Sequence, residues 1–273
     1  MNIGPLALPV GLLTLLFGII AASAAAGFLH RRGYADARNP LLLVLGLGLL
    51  AARSAYVAGW WPQYAQHPIA ILNFRDNGFD PLVGLLGLVG AAILLGWRRP
   101  PLRRPLGAGV AIGIAAWAFA GLAAHQLLSQ AHPPLPALVV SDLDGRDVDV
   151  STLRGQPTVI NFWATWCGPC RREMPVLAEA QTQMPHIRFV FADQGESAAV
   201  VKQFLQAQQL ELDHVLIDGN MQLSNHYNVR AYPTTLFLDA DSRLRDLHMG
   251  ELSRATLADR LQRISPPGRS NPR

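Results

Sequence analysis

Hydrophobic positions are spread in two different ways along this chain. Through the first 130 residues they form four long runs, Pro5–Leu29, Leu41–Trp61, Pro81–Trp97 and Leu106–Leu128. Each run is about 17–25 residues long, enough for an α-helix to cross a hydrocarbon layer of roughly 30 Å. Beyond residue 137 the runs shorten and alternate with polar segments. Val139-Val140 and Val148–Val150 flank Asp144-Gly145, a hairpin signal. Thr158–Trp163 reads as a buried strand, Arg171–Met184 as a helix and Ile187–Phe191 as a strand. Ser197–Gln208 reads as a helix with Ser197 at its N-cap and Val200, Val201, Phe204 and Leu205 on its apolar face. His214–Ile217 follows as a strand and Met221–Tyr227 as a short helix. Thr234–Asp239 and Leu244–Met249 read as strands around Asp241-Ser242, and Ser253–Ile264 as a closing helix. Strands alternating with helices, ending in a hairpin and a helix, predict an α/β sheet. The expected organisation is an all-α bundle of four transmembrane helices at 1–130, a Pro-rich linker at 131–137, an α/β domain at 138–264 and a disordered tail at 265–273.

Basic residues orient the first half. The segment before His30 has no Lys or Arg, so it lacks the basic n-region of a signal peptide and reads as a first span. The loop 30–38 carries Arg31, Arg32 and Arg38, and the loop 98–104 carries Arg98, Arg99, Arg103 and Arg104. Between runs two and three stands only Arg75, beside Asp76 and Asp80. The positive-inside rule places both Arg-rich loops in the cytoplasm. The N-terminus, the 62–80 segment and everything after Leu128 then lie outside, in the periplasm of a Gram-negative cell. Arg53 falls inside run two, where a charge must snorkel, pair with Asp76 or Asp80, or serve a function.

Composition sharpens this division. Only 15% of the 273 residues are charged, below the roughly 25% of a soluble domain. Residues 1–130 hold nine Arg and three acids, net +6, and residues 131–273 hold fourteen basic residues and sixteen acids, net −2. The overall +4 is therefore no sign of nucleic-acid binding; it sums membrane-flanking arginines and a slightly acidic outer domain.

The two cysteines carry the candidate chemistry. They form one Cys-x-x-Cys, Cys167-Gly168-Pro169-Cys170, after a predicted strand and before a predicted helix, the context in which this spacing reads as redox. A thiolate at a helix N-terminus meets unpaired N–H groups and the positive end of the dipole, so Cys167 is expected to have a lowered pKa. Cys170, one turn further in, is placed to attack a mixed disulfide on Cys167. Pro169 is tolerated in the first helical turn and limits the freedom of the ring. A structural zinc site would need two more ligands, and no other Cys or suitably spaced His pair exists. A purely structural disulfide would close too small a ring to restrain much of the unfolded chain. Peroxiredoxin chemistry usually wants a lone Cys in a different Pro/Thr context. No cofactor and no metal are expected.

Two resemblances accompany these readings. Asn161–Pro175, with Trp166-Cys167-Gly168-Pro169-Cys170 at its centre, followed by Tyr232-Pro233-Thr234-Thr235, resembles thioredoxin-fold proteins of the TlpA/ResA type over about residues 134–264. The resemblance implies a thioredoxin-like fold, disulfide reduction and a redox-active Cys167–Cys170 pair. It also implies a cis peptide before Pro233 that leaves the backbone of Tyr232 free to pair with a substrate strand. Trp166 is expected to shield the site, Pro175 to kink the helix, and Glu173 to tune proton movement near the cysteines. Thioredoxins proper carry a buried Asp where this chain has Asn161, so the proton of Cys170 needs another route, with Glu173 the first candidate. In the first half, Ile3–Leu8, Ala52–Val57 and Phe74–Phe79 resemble the N-terminal portion of prolipoprotein diacylglyceryl transferases. That family's His-Gly-Gly segment is replaced by Phe79-Asp80-Pro81-Leu82, and its later Gly-Arg…Asn-Gly-Glu signature is absent, which implies a reused anchor rather than an acyl-transfer site. The membrane half has no cysteine to relay electrons. The expected partners are therefore disulfide-containing clients, a DsbD/CcdA-like membrane donor and the lipid bilayer.

Overall fold

The computed structural model describes residues 2–3, 6–7, 10–129 and 135–264. The expected disordered tail at 265–273, and residues 131–134 of the expected linker, lie outside the described residues. The chain forms two compact units.

The first unit opens with two short antiparallel strands, β1 (Asn2–Ile3) and β2 (Leu6–Ala7). It continues with the helices α1 (Val10–Arg31), α2 (Arg38–Gly59), α3 (Trp61–Gln66), α4 (Pro81–Arg98) and α5 (Arg103–Ser129). α1, α2, α4 and α5 are long and apolar enough to cross a membrane. They overlap the four apolar runs with shifted ends: α1 runs on to Arg31 and α2 begins at Arg38, while α1 starts only at Val10 and α2 stops at Gly59, before Trp61. α1 packs on α5, and α2 on α4. Glycines allow the backbones to approach: a Cβ on Gly48 would sit 2.8 Å from Cβ of Leu88, and one on Gly113 would sit 2.9 Å from Cβ of Ala22. Close approach through small residues is how apolar helices gain dispersion energy where lipid competes for every apolar contact. Asp80 caps α4, its carboxylate accepting from the N–H of Val83 at 3.0 Å.

Arg53 is buried, at 5% exposure, and does not snorkel. Its guanidinium donates to the carbonyls of Ala70 (3.0 Å), Ile71 (3.0 and 3.1 Å) and Gly78 (2.7 Å). It also lies over the rings of Tyr64 and Phe79 at 5.2 and 5.7 Å. One planar cation thus ties α2 to the segment between α3 and α4. Arg53→Ala would strip three carbonyls of their donor at a cost of about 3 kcal/mol or more. In detergent-solubilised protein it is expected to open residues 62–80 to protease, and Arg53→Lys, with a single donor head, to protect only partly. Unchanged cleavage in the Ala variant would contradict this.

The second unit is a seven-stranded mixed sheet in the order β4-β3-β7-β6-β5-β8-β9. Its strands are β3 (Val139–Asp142), β4 (Asp147–Asp149), β5 (Thr158–Trp163), β6 (Arg188–Gln194), β7 (Val215–Asp218), β8 (Thr234–Leu238) and β9 (Leu244–Met249). β5, β6 and β7 are parallel, and β8 and β9 complete one edge antiparallel. Every residue of β5 is buried, because both faces of this central strand are covered, and this explains its unbroken apolar run.

On one face lie Val159, Trp163, Phe189, Phe191 and Phe237, packed against α6 (Gly168–Gln183), α7 (Ala198–Gln208) and α9 (Arg254–Ile264). On the other lie Ile160, Phe162, Val190, Leu216, Leu236 and Leu238, packed against α8 (Gln222–His226) and the segment around Val150–Leu153. Two local expectations need correction. α6 begins at Gly168, not Arg171, because Cys167 itself caps it. Ser197 holds the N-cap position of α7 but makes no capping hydrogen bond. Pro175 lies within α6, which continues through it.

Candidate active site

β5 runs to Trp163, the chain turns through Ala164–Trp166, and α6 starts at Gly168. Cys167 occupies the N-cap of α6, where the first N–H groups of a helix lack intrahelical partners. Its sulfur accepts from the N–H of Cys170 at 3.3 Å. The two sulfurs are joined in a disulfide, with a Cα–Cα distance of 5.3 Å. Cys167 is 5% exposed and Cys170 fully buried, so a partner reaches Cys167 first. Gly168 and Pro169 form the opening of the helix, where the missing N–H of proline costs nothing.

Trp166 is 68% exposed, so it does not serve as core packing. Its ring meets that of Tyr232 edge-on, with centroids 6.2 Å apart. The Tyr232–Pro233 peptide is cis. The Tyr232 hydroxyl points toward Oε1 of Gln194 (3.5 Å) and Sδ of Met221 (4.0 Å), and Met221 is 45% exposed. An aromatic and apolar rim therefore borders the disulfide on the cis-proline side.

Glu173 turns inward. It shares the buried stripe of α6 with Cys170, Met174 and Leu177 and is 1% exposed. Its Oε1 accepts from Nδ2 of Asn161 (2.8 Å) and its Oε2 from the N–H of Leu252 (2.8 Å). Asn161 Nδ2 also donates to Oγ1 of Thr235 at 3.0 Å, across the paired strands β5 and β8. Two donors favour the carboxylate, yet burial outweighs them and pushes the Glu173 carboxyl up to about 8. Glu173 therefore does not stand on a solvated helix face. The position three residues after Cys170 and four before Leu177 is the helical spacing that places all three on one side.

Two further acids meet the turn that precedes Cys167. Glu196 accepts from the N–H of Thr165 (2.6 Å) and from its hydroxyl (2.7 Å). Asp193, fully buried at the end of β6, accepts from the N–H of Glu196 at 3.2 Å. Sequence reading passed over both. The available signal is position: they lie at the carboxyl end of a strand parallel to the one that delivers Cys167, and the carboxyl ends of parallel strands are where α/β sites assemble.

The comparisons fit this geometry. The model of the AhpC/TSA family matches residues 132–247. Over 150 residues the chain is 30% identical to a thiol-disulfide oxidoreductase ResA of Bacillus cereus, covering 54% of this chain and 86% of that one. The chain belongs to the ResA-type thiol-disulfide oxidoreductases. A second ResA, from Geobacillus thermodenitrificans, is 32% identical over 133 residues, 48% of this chain and 76% of its own length. Among solved structures, a secreted Mycobacterium tuberculosis disulfide oxidoreductase described as homologous to E. coli DsbE is similar at 25% identity and TM-score 0.43, over 46% of this chain and 95% of that one. This ResA-type protein carries its α/β unit after four long apolar helices.

Proposed function

We propose that this chain is a membrane-tethered reductase of protein disulfides. It works on the outer face of a bacterial inner membrane through Cys167 and Cys170. The observation that carries the reading is Cys167 at the N-cap of α6, bonded to a Cys170 that solvent does not reach.

The reaction divides as follows. With the pair reduced, the Cys167 thiolate attacks one sulfur of a client disulfide. That S–S bond breaks, and the leaving sulfur carries off the electron pair and takes a proton. Cys170 loses its proton and attacks Cys167. The second client sulfur leaves, so the client gains two electrons and the Cys167–Cys170 disulfide forms. Glu173, one turn from Cys170, takes up the Cys170 proton in this half and returns it when the disulfide is reduced again. Its carboxyl, protonated at neutral pH in the disulfide form, fits that exchange. Trp166, Tyr232 and the cis peptide at Pro233 form the client edge, with the Tyr232 backbone pairing an extended client segment.

Gly168-Pro169 between the cysteines resembles thioredoxin, with a potential near about −270 mV, rather than DsbA near about −120 mV. The membrane half contains no cysteine, so electrons come from a separate DsbD/CcdA-like membrane dithiol. The four spans serve as an anchor in the bilayer, with the N-terminus and the α/β domain outside; the diacylglyceryl transferase resemblance is that of a reused scaffold.

Redox equilibration of the full chain against glutathione and dithiothreitol tests the direction. A potential near about −270 mV is expected, together with catalysis of insulin reduction by dithiothreitol. A potential above about −150 mV would make the protein an oxidant, and no turnover of insulin would remove the enzymatic reading of these cysteines.

A further inference from the structure

The turn from Trp163 to Cys167 has few anchors of its own. One backbone bond closes it, from the N–H of Cys167 to the carbonyl of Ala164 at 3.2 Å. Thr165, two residues before Cys167, is held from outside by Glu196, whose two oxygens accept its N–H and its hydroxyl. Two short bonds from one carboxylate to one residue fix both its backbone and its χ1 rotamer.

Glu196 is itself fixed. It follows Gly195, whose φ of +79° suits a residue without a Cβ, and its N–H is bonded to Asp193. Asp193 is paired in register with Trp163, so the acid stands beside the last residue of the strand that delivers Cys167. Burial, then the side-chain contact with Glu196, push the Asp193 carboxyl up to about 8. On the cis-proline side Asp193, Asp218 and Arg230 act on the Tyr232 hydroxyl, and the Arg171 guanidinium lies over the Phe204 ring.

We propose that Glu196, braced by Asp193, is a positioning residue for disulfide exchange: it holds the turn that presents Trp166 and Cys167. This acid site is separate from Glu173, which lies with Asn161, Thr235 and Leu252. The inference rests on Cys167 being the attacking sulfur.

The test uses the full chain in detergent micelles, reduced with dithiothreitol and freed of it. Two quantities are measured for Glu196→Ala, Glu196→Gln and Asp193→Asn. One is the rate of exchange with a small aromatic disulfide. The other is iodoacetamide alkylation of Cys167 against pH, read by peptide mass spectrometry. Glu196→Ala removes both acceptors and is expected to slow exchange about tenfold or more, as misplacement of a reacting group does. In Glu196→Gln the amide oxygen still accepts from the Thr165 N–H, so the conservative variant rescues the rate to within about threefold of the parent and leaves the Cys167 alkylation profile in place. Asp193→Asn keeps the Oδ1 that accepts the Glu196 N–H and stays within about threefold of the parent rate.

A parental rate in Glu196→Ala, or a loss in Glu196→Gln or Asp193→Asn as large as in Glu196→Ala, would overturn the proposal. Should Glu196→Ala fail to fold, Thr165→Ala, which removes the hydroxyl half of the contact, decides: slowed exchange supports the proposal and a parental rate overturns it. If iodoacetamide labels Cys170 before Cys167 in the unsubstituted protein, the assignment of the attacking sulfur fails instead, which separates that outcome from failure of the Glu196 inference.

Discussion

Cys170→Ser in the full chain is expected to abolish turnover and to leave clients covalently held on Cys167. The physical reason is order of attack. Cys167 sits at the helix N-terminus within reach of a partner, while Cys170 has no exposure at all. A serine hydroxyl cannot displace the client sulfur, so the reaction stops at the mixed disulfide. The loss in insulin reduction should exceed about a thousandfold, as for other enzymes stripped of one member of an interdependent pair. Cys167→Ser should be equally inactive but trap nothing. Non-reducing electrophoresis of membranes from cells carrying each variant reads the difference, and mass spectrometry of the adducts names the client. Adducts on Cys167→Ser, with none on Cys170→Ser, would invert the assignment of roles.

Glu173→Gln should uncouple both stability and rate from pH. In the fold the Glu173 carboxyl is pushed up to about 8, against 4.5 for the free group. The folded chain therefore holds that proton more tightly than the unfolded chain. The resulting stabilisation is complete below about pH 4.5 and is lost as pH rises through about 8. By pH 7 the loss is on the order of 3 kcal/mol. Gln carries no titrating proton, so its urea midpoint should change less between pH 5 and pH 8 than that of the parent chain. The site can accept the amide: Asn161 turns its Oδ1, which has no hydrogen-bond partner among the described residues, toward the new N–H₂ group. Without a carboxyl to exchange the Cys170 proton, insulin reduction should fall about a hundredfold, within the usual range for losing a general acid–base group. A parent midpoint that does not fall between pH 5 and pH 8 would show that the carboxyl is already ionised in the fold. A Gln variant with parental turnover would remove Glu173 from proton transfer.

The two acid sites differ in how far the sequence reveals them. Glu173 shares a helix with Cys170, and the 3.6-residue period alone puts it on the Cys170 and Leu177 side of α6. Glu196 reaches Thr165 across 31 positions of chain, and nothing in the local pattern around Gly195 announces that contact. Arg53 is similar. Its position in an apolar run marks it as unusual, but only the fold shows that its partners include the carbonyls of Ala70, Ile71 and Gly78, between 17 and 25 residues further along the chain.

Periodicity, run length and one Cys-x-x-Cys were enough to assign four membrane-length helices, an α/β domain and a dithiol chemistry, because each depends on residues close together in the chain. The length of an apolar run sets whether a helix can cross a bilayer, and a thiol at a strand-to-helix junction meets the helix dipole whatever surrounds it. The proton state of Glu173 and Asp193, the carbonyl cage of Arg53 and the bracing of Thr165 depend on burial and on hydrogen bonds between distant segments. Desolvation is a property of everything packed around a group, so only the tertiary structure decides whether a carboxyl keeps its proton.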